Sequence, residues 1–279
     1  MLRSSVISVL VLLACAHAPS SKTTGRQAAA QYEAKEYAAC AQTYAAGGDG
    51  YSAACCFALA GRPDQAFDQL EKAIASDDVM LTEESLLGDA DFASLRADAR
   101  WPAVLEHTKI ARAHLNAELA QLREQDQADR QNPSKANWAE VGPRDAARRA
   151  RVAQIIDAGG AKYSADYFSA ALVFQHGASP AEITRAHDLA LKAVELDGNN
   201  RRARWLAAAS EDRVLMYEKK PQKYGTQYST DATGKWVLWP VDGSVTDEQR
   251  LAWNVPTLAE AKAREEEMNA RPATGSAAP

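Results

Sequence analysis

The 279-residue chain has no apolar run long enough to cross a bilayer, no surplus of basic charge and no cysteine-rich framework. A bilayer span needs about 20 consecutive apolar residues, so a polytopic membrane protein is excluded. Net charge is −5, from 37 acidic against 32 basic residues, and a nucleic-acid partner is not expected without a basic stripe. Four cysteines are too few and too unevenly spaced for a disulfide scaffold. Fifteen glycines and 11 prolines, clustered at a few points, argue against a collagen-like fibre or a turn-rich β-sandwich. The motifs G-x-S-x-G, H-E-x-x-H and G-K-[ST] are missing, so the commonest hydrolase, zinc-protease and phosphate-loop chemistries have no signature here. What remains is a chain 46% apolar and 25% charged, ordinary for a globular body, and rich in alanine, the best helix former.

The first residues, MLRSSVISVLVLLAC, carry one cation (Arg3) ahead of a short apolar stretch, Val6 to Ala14. That is the layout of a secretory signal peptide, too short to be a span. Leu12-Leu13-Ala14-Cys15 resembles the lipobox of bacterial lipoproteins, although Leu at its second position is a less common choice there. The resemblance implies cleavage after residue 14 and a diacylglyceryl group on Cys15. The polar AHAPSSKTTG that follows suits a flexible tether, and Ala16 after the cysteine implies sorting to an outer membrane where one exists. A plain secretory signal with an incidental Cys15 is the alternative.

Of the other cysteines, Cys40, Cys55 and Cys56 lie among alanines on helical patterns. They read as small apolar core residues, with a Cys40–Cys55 or Cys40–Cys56 bridge as the alternative in an oxidising compartment. Zinc would need a fourth ligand and paired spacing, and neither is present. No cofactor or metal is expected.

From Tyr51, YSAACCFALAGRPDQAFDQLEKAIASDD resembles a tetratricopeptide helical hairpin. Ala54 and Phe57 lie on its first helix, Gly61 and Pro63 at its turn, and Ala66, Leu70 and Ala73 on its second. Tyr37, Cys40 and Tyr44 suggest a shortened hairpin before it, and Asp89 to Trp101 a closing segment. Residues 109–131 are expected as one long helix, followed by a polar loop at 132–137. Pro143 opens a helix closed by Gly159-Gly160, and Tyr163 to His176 is apolar nearly all round, as a central helix should be. Ser179-Pro180-Ala181-Glu182 is a strong helix start. Another helix runs from Arg201 to about Lys220. Thr226–Thr230 and Lys235–Trp239 then alternate as a β-hairpin, and two short helices follow.

His187 falls inside the apolar stripe of the 179–197 helix, and Asp212 inside that of the 201–220 helix, with Arg213 at its edge. Burying an unpaired carboxylate costs several kcal/mol, so Asp212 is expected to have a cation or several donors beside it, with Arg213, His187 and His176 as candidate partners. One reading is an ion pair locking two helices; the other is an acid–base or binding cluster. Gln222, Tyr224, Gly225, Thr226 and Gln227 form the second marked group. They are either a junction that satisfies its own backbone or a polar recognition pocket. Trp236, Trp239 and Trp253 either pack the hairpin on the bundle or stack on a sugar or base.

Asp126-Gln127-Ala128-Asp129-Arg130, Phe174-Gln175-His176, Ala203 to Ala208, Asp212-Arg213 and Gln222 to Gln227 together resemble an uncharacterised bacterial domain family with a Q-x-[YF]-G-T-Q signature. The resemblance covers residues 112–262 and implies a domain boundary and a marked residue set, without a reaction. The expectation is therefore a mainly α-helical lipoprotein in five parts. These are a signal peptide (1–14), a lipidated flexible tether (15–26), a tetratricopeptide-like unit (27–108), a helical domain (109–268) with a β-hairpin at 226–239, and a disordered tail (269–279). Its expected role is an envelope interaction module, held to the lipid bilayer through Cys15 and binding a protein or peptide at the repeat unit. The alternative is an enzyme or small-ligand-binding domain using His176, His187, Asp212 and Arg213 beside the Gln222–Gln227 turn.

Overall fold

The computed structural model describes residues 21–75, 81–130 and 137–270. Cys15 and the signal segment lie outside the described residues. The fold is mainly helical, with thirteen α-helices and one two-stranded antiparallel hairpin among the described residues.

The first unit stacks α1 (Ser21–Glu33), α2 (Tyr37–Ala46), α3 (Gly50–Leu59) and α4 (Pro63–Ala75) in sequence order. Small side chains bring α3 against α4. Ala54, Ala66 and Leu70 are fully buried, and a Cβ on Gly50 would sit 3.1 Å from the Gln69 carbonyl. The short α5 (Glu83–Gly88) and a 3₁₀ turn (Ala90–Phe92) lead into α6 (Trp101–Arg112), which packs on α4. Phe92 and Trp101 complete this core. Cys40 of α2 is bonded to Cys56 of α3, and Cys55 remains a buried thiol. One of the two bridge pairings expected as alternatives is thus realised, while Cys55 keeps the core-packing role.

The second unit is centred on α9 (Ser164–Gln175), against which α7 (Ala117–Ala128), α8 (Trp138–Asp157), α10 (Pro180–Leu196) and α11 (Arg201–Tyr217) pack. Ala165, Ala170, Ala171 and Val173 of α9 are buried together with Ala186, Ala190 and Leu206 from its neighbours, as an all-round apolar helix requires. Strands β1 (Tyr228–Thr230) and β2 (Trp236–Leu238) pair Tyr228 with Leu238 and Thr230 with Trp236. The short α12 (Asp247–Ala252) follows, and α13 (Leu258–Ala270) packs on β2.

Four expectations about element limits are corrected. Residues 109–131 are not one helix. The chain breaks between Arg112 and Ala117, where the Asn116 side chain accepts from the N–H groups of Glu118 and Leu119, both at 3.0 Å, and caps α7. The same residue donates through its amide to Gly160 O (2.9 Å) and through its backbone to Asp166 Oδ1 (2.7 Å), so the break is a fixed corner. It also places residue 109 inside α6 rather than at a boundary. Pro143 does not open α8 but lies within it, past the first turn, where its ring takes one rung out of the helical hydrogen-bond ladder. The helix α1 begins at Ser21, inside the stretch expected to be a flexible tether. Finally, α13 continues through residues 269 and 270, and Asn269 exchanges two hydrogen bonds with the Trp236 backbone (2.9 and 2.8 Å).

Candidate functional site

Asp212 is fully buried on α11, and of the two environments expected for it, a cation or several donors, the second is realised. Oδ1 accepts from the backbone N–H of Lys223 (2.8 Å) and of Tyr224 (2.9 Å). Oδ2 accepts from the backbone N–H of Thr226 (3.0 Å) and from its hydroxyl (2.8 Å). A carboxylate can be buried on neutral donors when enough of them converge. Burial pushes the Asp212 carboxyl above its ordinary range, against the pull of these four bonds.

The Gln222–Gln227 segment wraps this carboxylate and satisfies itself. Gln222, also fully buried, donates to Gln227 O (3.0 Å) and Trp239 O (2.7 Å) and accepts from Gln227 N (2.8 Å). Gln227 donates to Ala209 O (3.2 Å) and to the Thr226 hydroxyl (3.0 Å). Gly225 has φ +86°, a conformation side chains resist, and it turns the chain between the N–H groups of Tyr224 and Thr226. From outside, the nearly buried Arg250 holds Tyr224 O (3.0 Å), Lys223 O (3.3 Å) and Val245 O (2.7 Å). Arg250 was not legible as part of this joint. It stands in one of the two short helices after the hairpin, and its acceptors are backbone carbonyls, which leave no mark in a sequence.

The other marked residues separate. His187 sits on the seam between α10 and α11 with Nδ1 3.0 Å from Ala207 O; a carbonyl only accepts, so that nitrogen carries the proton. Trp239 donates its indole N–H to Lys220 O (2.7 Å) and Trp253 packs against the second core, as hairpin packing requires, whereas Trp236 is partly exposed. His176 and Arg213 both border the C-terminal end of α9. Arg213 Nη1 donates to Gln175 O (2.6 Å), and Arg149 Nη1 donates to His176 O (3.1 Å). Cations on the last carbonyls of a helix oppose its dipole favourably.

His176 Nδ1 lies 2.8 Å from Oδ2 of Asp126, which is fully buried. Around this pair, α7 and α8 interlock through charge. Arg130 reaches Asp126 (3.1 Å) and Asp145 (2.6 Å), and Arg148 reaches Asp145 (2.5 Å) and Asp129 (2.7 Å). Arg144 also pairs with Asp129, at 2.8 Å. The Arg144 hydrogen bond holds Asp129 below the usual carboxylate range, against burial and with help from Arg148. Burial works against Asp145 too, but the bonds from Arg130 and Arg148 prevail and hold it low. Asp145 and Arg148 carried no individual signal; they lie three apart on α8 and gain meaning only when α7 is set beside them.

Two cavities lie away from all of these residues. One of about 290 Å³ opens between the units, lined by Thr82, Arg112, Asn116, Arg123, Glu124 and Ser169. Another of about 220 Å³ is lined by Tyr32, Tyr44, Ser52, Cys55 and Asp91 of the first unit. Beside it, Cys55, Asp89 and Asp91 offer metal-type ligand atoms within 4.8 Å of one another. Their acceptors are already engaged: Tyr32 donates to both Asp91 oxygens (2.9 and 3.0 Å) and Tyr51 to Asp89 (2.6 Å). The chain matches no family model, no curated protein and no solved structure.

Proposed function

We propose that the chain is an exported envelope lipoprotein, held to the bilayer through Cys15, whose helical body serves as a protein or peptide interaction module. The reading draws on the Leu12-Leu13-Ala14-Cys15 tetrad and on the four sequential helices of the first unit, which stack as repeat hairpins do. The observation that carries it over an enzyme is the state of Asp212. Both its oxygens are engaged by the 222–227 backbone and Thr226, so the residues marked most strongly in the sequence hold a joint together. A general base needs a lone pair turned toward a substrate, and this carboxylate has none to spare.

Among the described residues no helix is long and apolar enough to cross a membrane, so in this reading attachment rests on the lipid. Each buried methylene contributes about 0.8 kcal/mol, and two or more acyl chains anchor durably. The test is fractionation with acyl-chain labelling of the full chain and of Cys15→Ser. The wild type should incorporate label and sediment with membranes; Cys15→Ser should be soluble or remain an unprocessed precursor. Equal retention and normal processing of the variant would sink the anchoring. For the body, Asp212→Asn should keep partner binding wherever it keeps the fold. A folded Asp212→Asn chain that loses its partner would put the catalytic or ligand-binding alternative first.

A further inference from the structure

The larger cavity, of about 290 Å³, opens where the two units meet, with Thr82 and Arg112 on the side of the first and residues of α7 and α9 on the side of the second. At about 30 Å³ for each water of the liquid it has room for roughly ten, and ligand sites begin near about 300 Å³. Part of its wall is apolar, from Leu115, Ala120 and Ala165. Arg123 of α7 forms another part, although it is the largest fully buried side chain among the described residues. Arg112 of α6 stands on the same wall, where its Nε and Nη1 donate to the carbonyls of Leu81 and Ile74, each at 3.3 Å. Those acceptors are neutral and leave its charge in place. The acidic groups of the wall are occupied. Asp166 Oδ1 accepts from Asn116 N (2.7 Å), and Oδ2 from Lys162 N (3.0 Å) and Tyr163 N (3.2 Å). Glu124 accepts from Arg123 Nη2 (3.1 Å), with its own side chain 58% exposed. The Thr82 hydroxyl accepts from Ser85 N (3.1 Å) and keeps its proton for a further acceptor. The cavity thus offers donors and positive charge beside an apolar surface.

We infer that this cavity binds a small organic acid, with its carboxylate on Arg123 and Arg112 and its apolar body against Leu115, Ala120 and Ala165. The fork of a guanidinium fits the two oxygens of a carboxylate, and such a charge-assisted pair is stronger away from water. Keeping a guanidinium in the interior carries a desolvation cost, which a bound anion lowers. The wall is contributed by both units, so the ligand bridges them. The assignment depends neither on the lipid anchor nor on a partner at the repeat unit.

Isothermal titration of the full chain with hexanoate, and separately with hexanol and with sulfate, tests it at ionic strength matched with chloride. Wild type should bind hexanoate saturably. Hexanol and sulfate, which each supply one half of the match, should bind about tenfold more weakly or worse. Ala120→Leu fills the cavity from a partly exposed position on α7 and keeps both arginines. It should weaken hexanoate about tenfold or more while its circular dichroism stays that of the wild type. Arg123→Gln should bring hexanoate down to the level of hexanol and leave hexanol unaltered, and Arg62→Gln, an exposed change in the first unit, should alter neither. If the chain does not fold without the buried Arg123, Ala120→Leu decides by itself. Absence of saturable hexanoate binding by wild type overturns the site. So does hexanol or sulfate binding as tight as that of hexanoate, or a folded Ala120→Leu chain that binds hexanoate like the wild type.

Discussion

Asp89 and Asp91 of the first unit are held by phenols and a thiol, from Tyr51, Tyr32 and Cys55, whereas Asp129 and Asp145 of the second are held by guanidiniums. Both arrangements tie helices together through partly buried carboxylates, yet their charge balance is opposite. Neutral donors leave the negative charge uncompensated. Burial, with help from Asp89 and against the Tyr32 bond, accordingly raises Asp91. The Asp91 hydrogen bond and burial carry Tyr32 up to about 12. Burial and the neighbouring carboxylates push the Cys55 thiol far up as well. Arginines do the reverse and draw carboxyls down. The difference teaches that one chain can stabilise one half by a pH-sensitive charge lattice and the other by hydrogen bonds that tolerate acid.

The largest blow to this contrast is expected at Asp212, a second-unit carboxylate held, like Asp166, without any cation. Asp212→Ala strands three backbone N–H groups and a hydroxyl, and should cost about 4 kcal/mol in denaturant unfolding. Asp212→Asn, which can still accept on one oxygen, should cost about half as much. A loss below about 1 kcal/mol for the alanine variant would mean that the joint holds nothing. Next in size is the covalent tie of the first unit. Cys56→Ser opens a bridge between residues 16 apart and should cost about 3 kcal/mol, with amide exchange rising in α2 and α3 and not in α9. Equal loosening of both units would erase the distinction between them.

Acid gives a sharper test of smaller size. Asp129, Asp145 and Glu182 titrate below their unfolded values. Their stabilisation is present above the unfolded carboxyl pKa of about 4 and is lost as pH falls through the folded values. Asp91, raised, contributes in the other direction: its favourable term is present at low pH and lost as pH rises through its folded value. Between neutral pH and about pH 3, amide protection corrected for intrinsic rates should fall in α7 and α8 more than in α2 and α3. The opposite order would refute the electrostatic contrast. The smallest effect is Tyr32→Phe, which removes one half-buried donor from Asp91 and should cost about 1 kcal/mol, confined to α1 and its neighbours.

Much of the helical order was legible because it rests on local signals. Ser179 and Glu182 place the start of α10 where the cap forms, and the unbroken apolar surface of 163–176 marks the helix at the centre of the second unit. The hairpin showed in alternation alone, two residues longer at its start than the paired strand. The corner at Asn116 was hidden because its reasons are distant: Gly160 and Asp166 hold it from 44 and 50 residues away. For the site, position could be read but partnership could not. Asp212 in an apolar stripe announced a buried carboxylate, and the stripe said nothing about donors that come from another segment's backbone. His176 and Arg213 were marked together and do share the end of α9, while His187 was drawn in by the same stripe logic and only ties α10 to α11.

The last helix has a colloidal meaning. Backbone N–H groups of Trp236 and Leu238 on the outer side of β2 are taken by Asn269 and by Glu265 (2.7 Å) of α13, so side chains stand where another strand would otherwise pair. An uncovered strand edge is a template for association between copies. If α13 peels away, the folded cores persist but the hairpin acquires a sticky border carrying the exposed Trp236 and Val237. The thirteen residues of α13 thus decide whether this strand edge is offered to another chain.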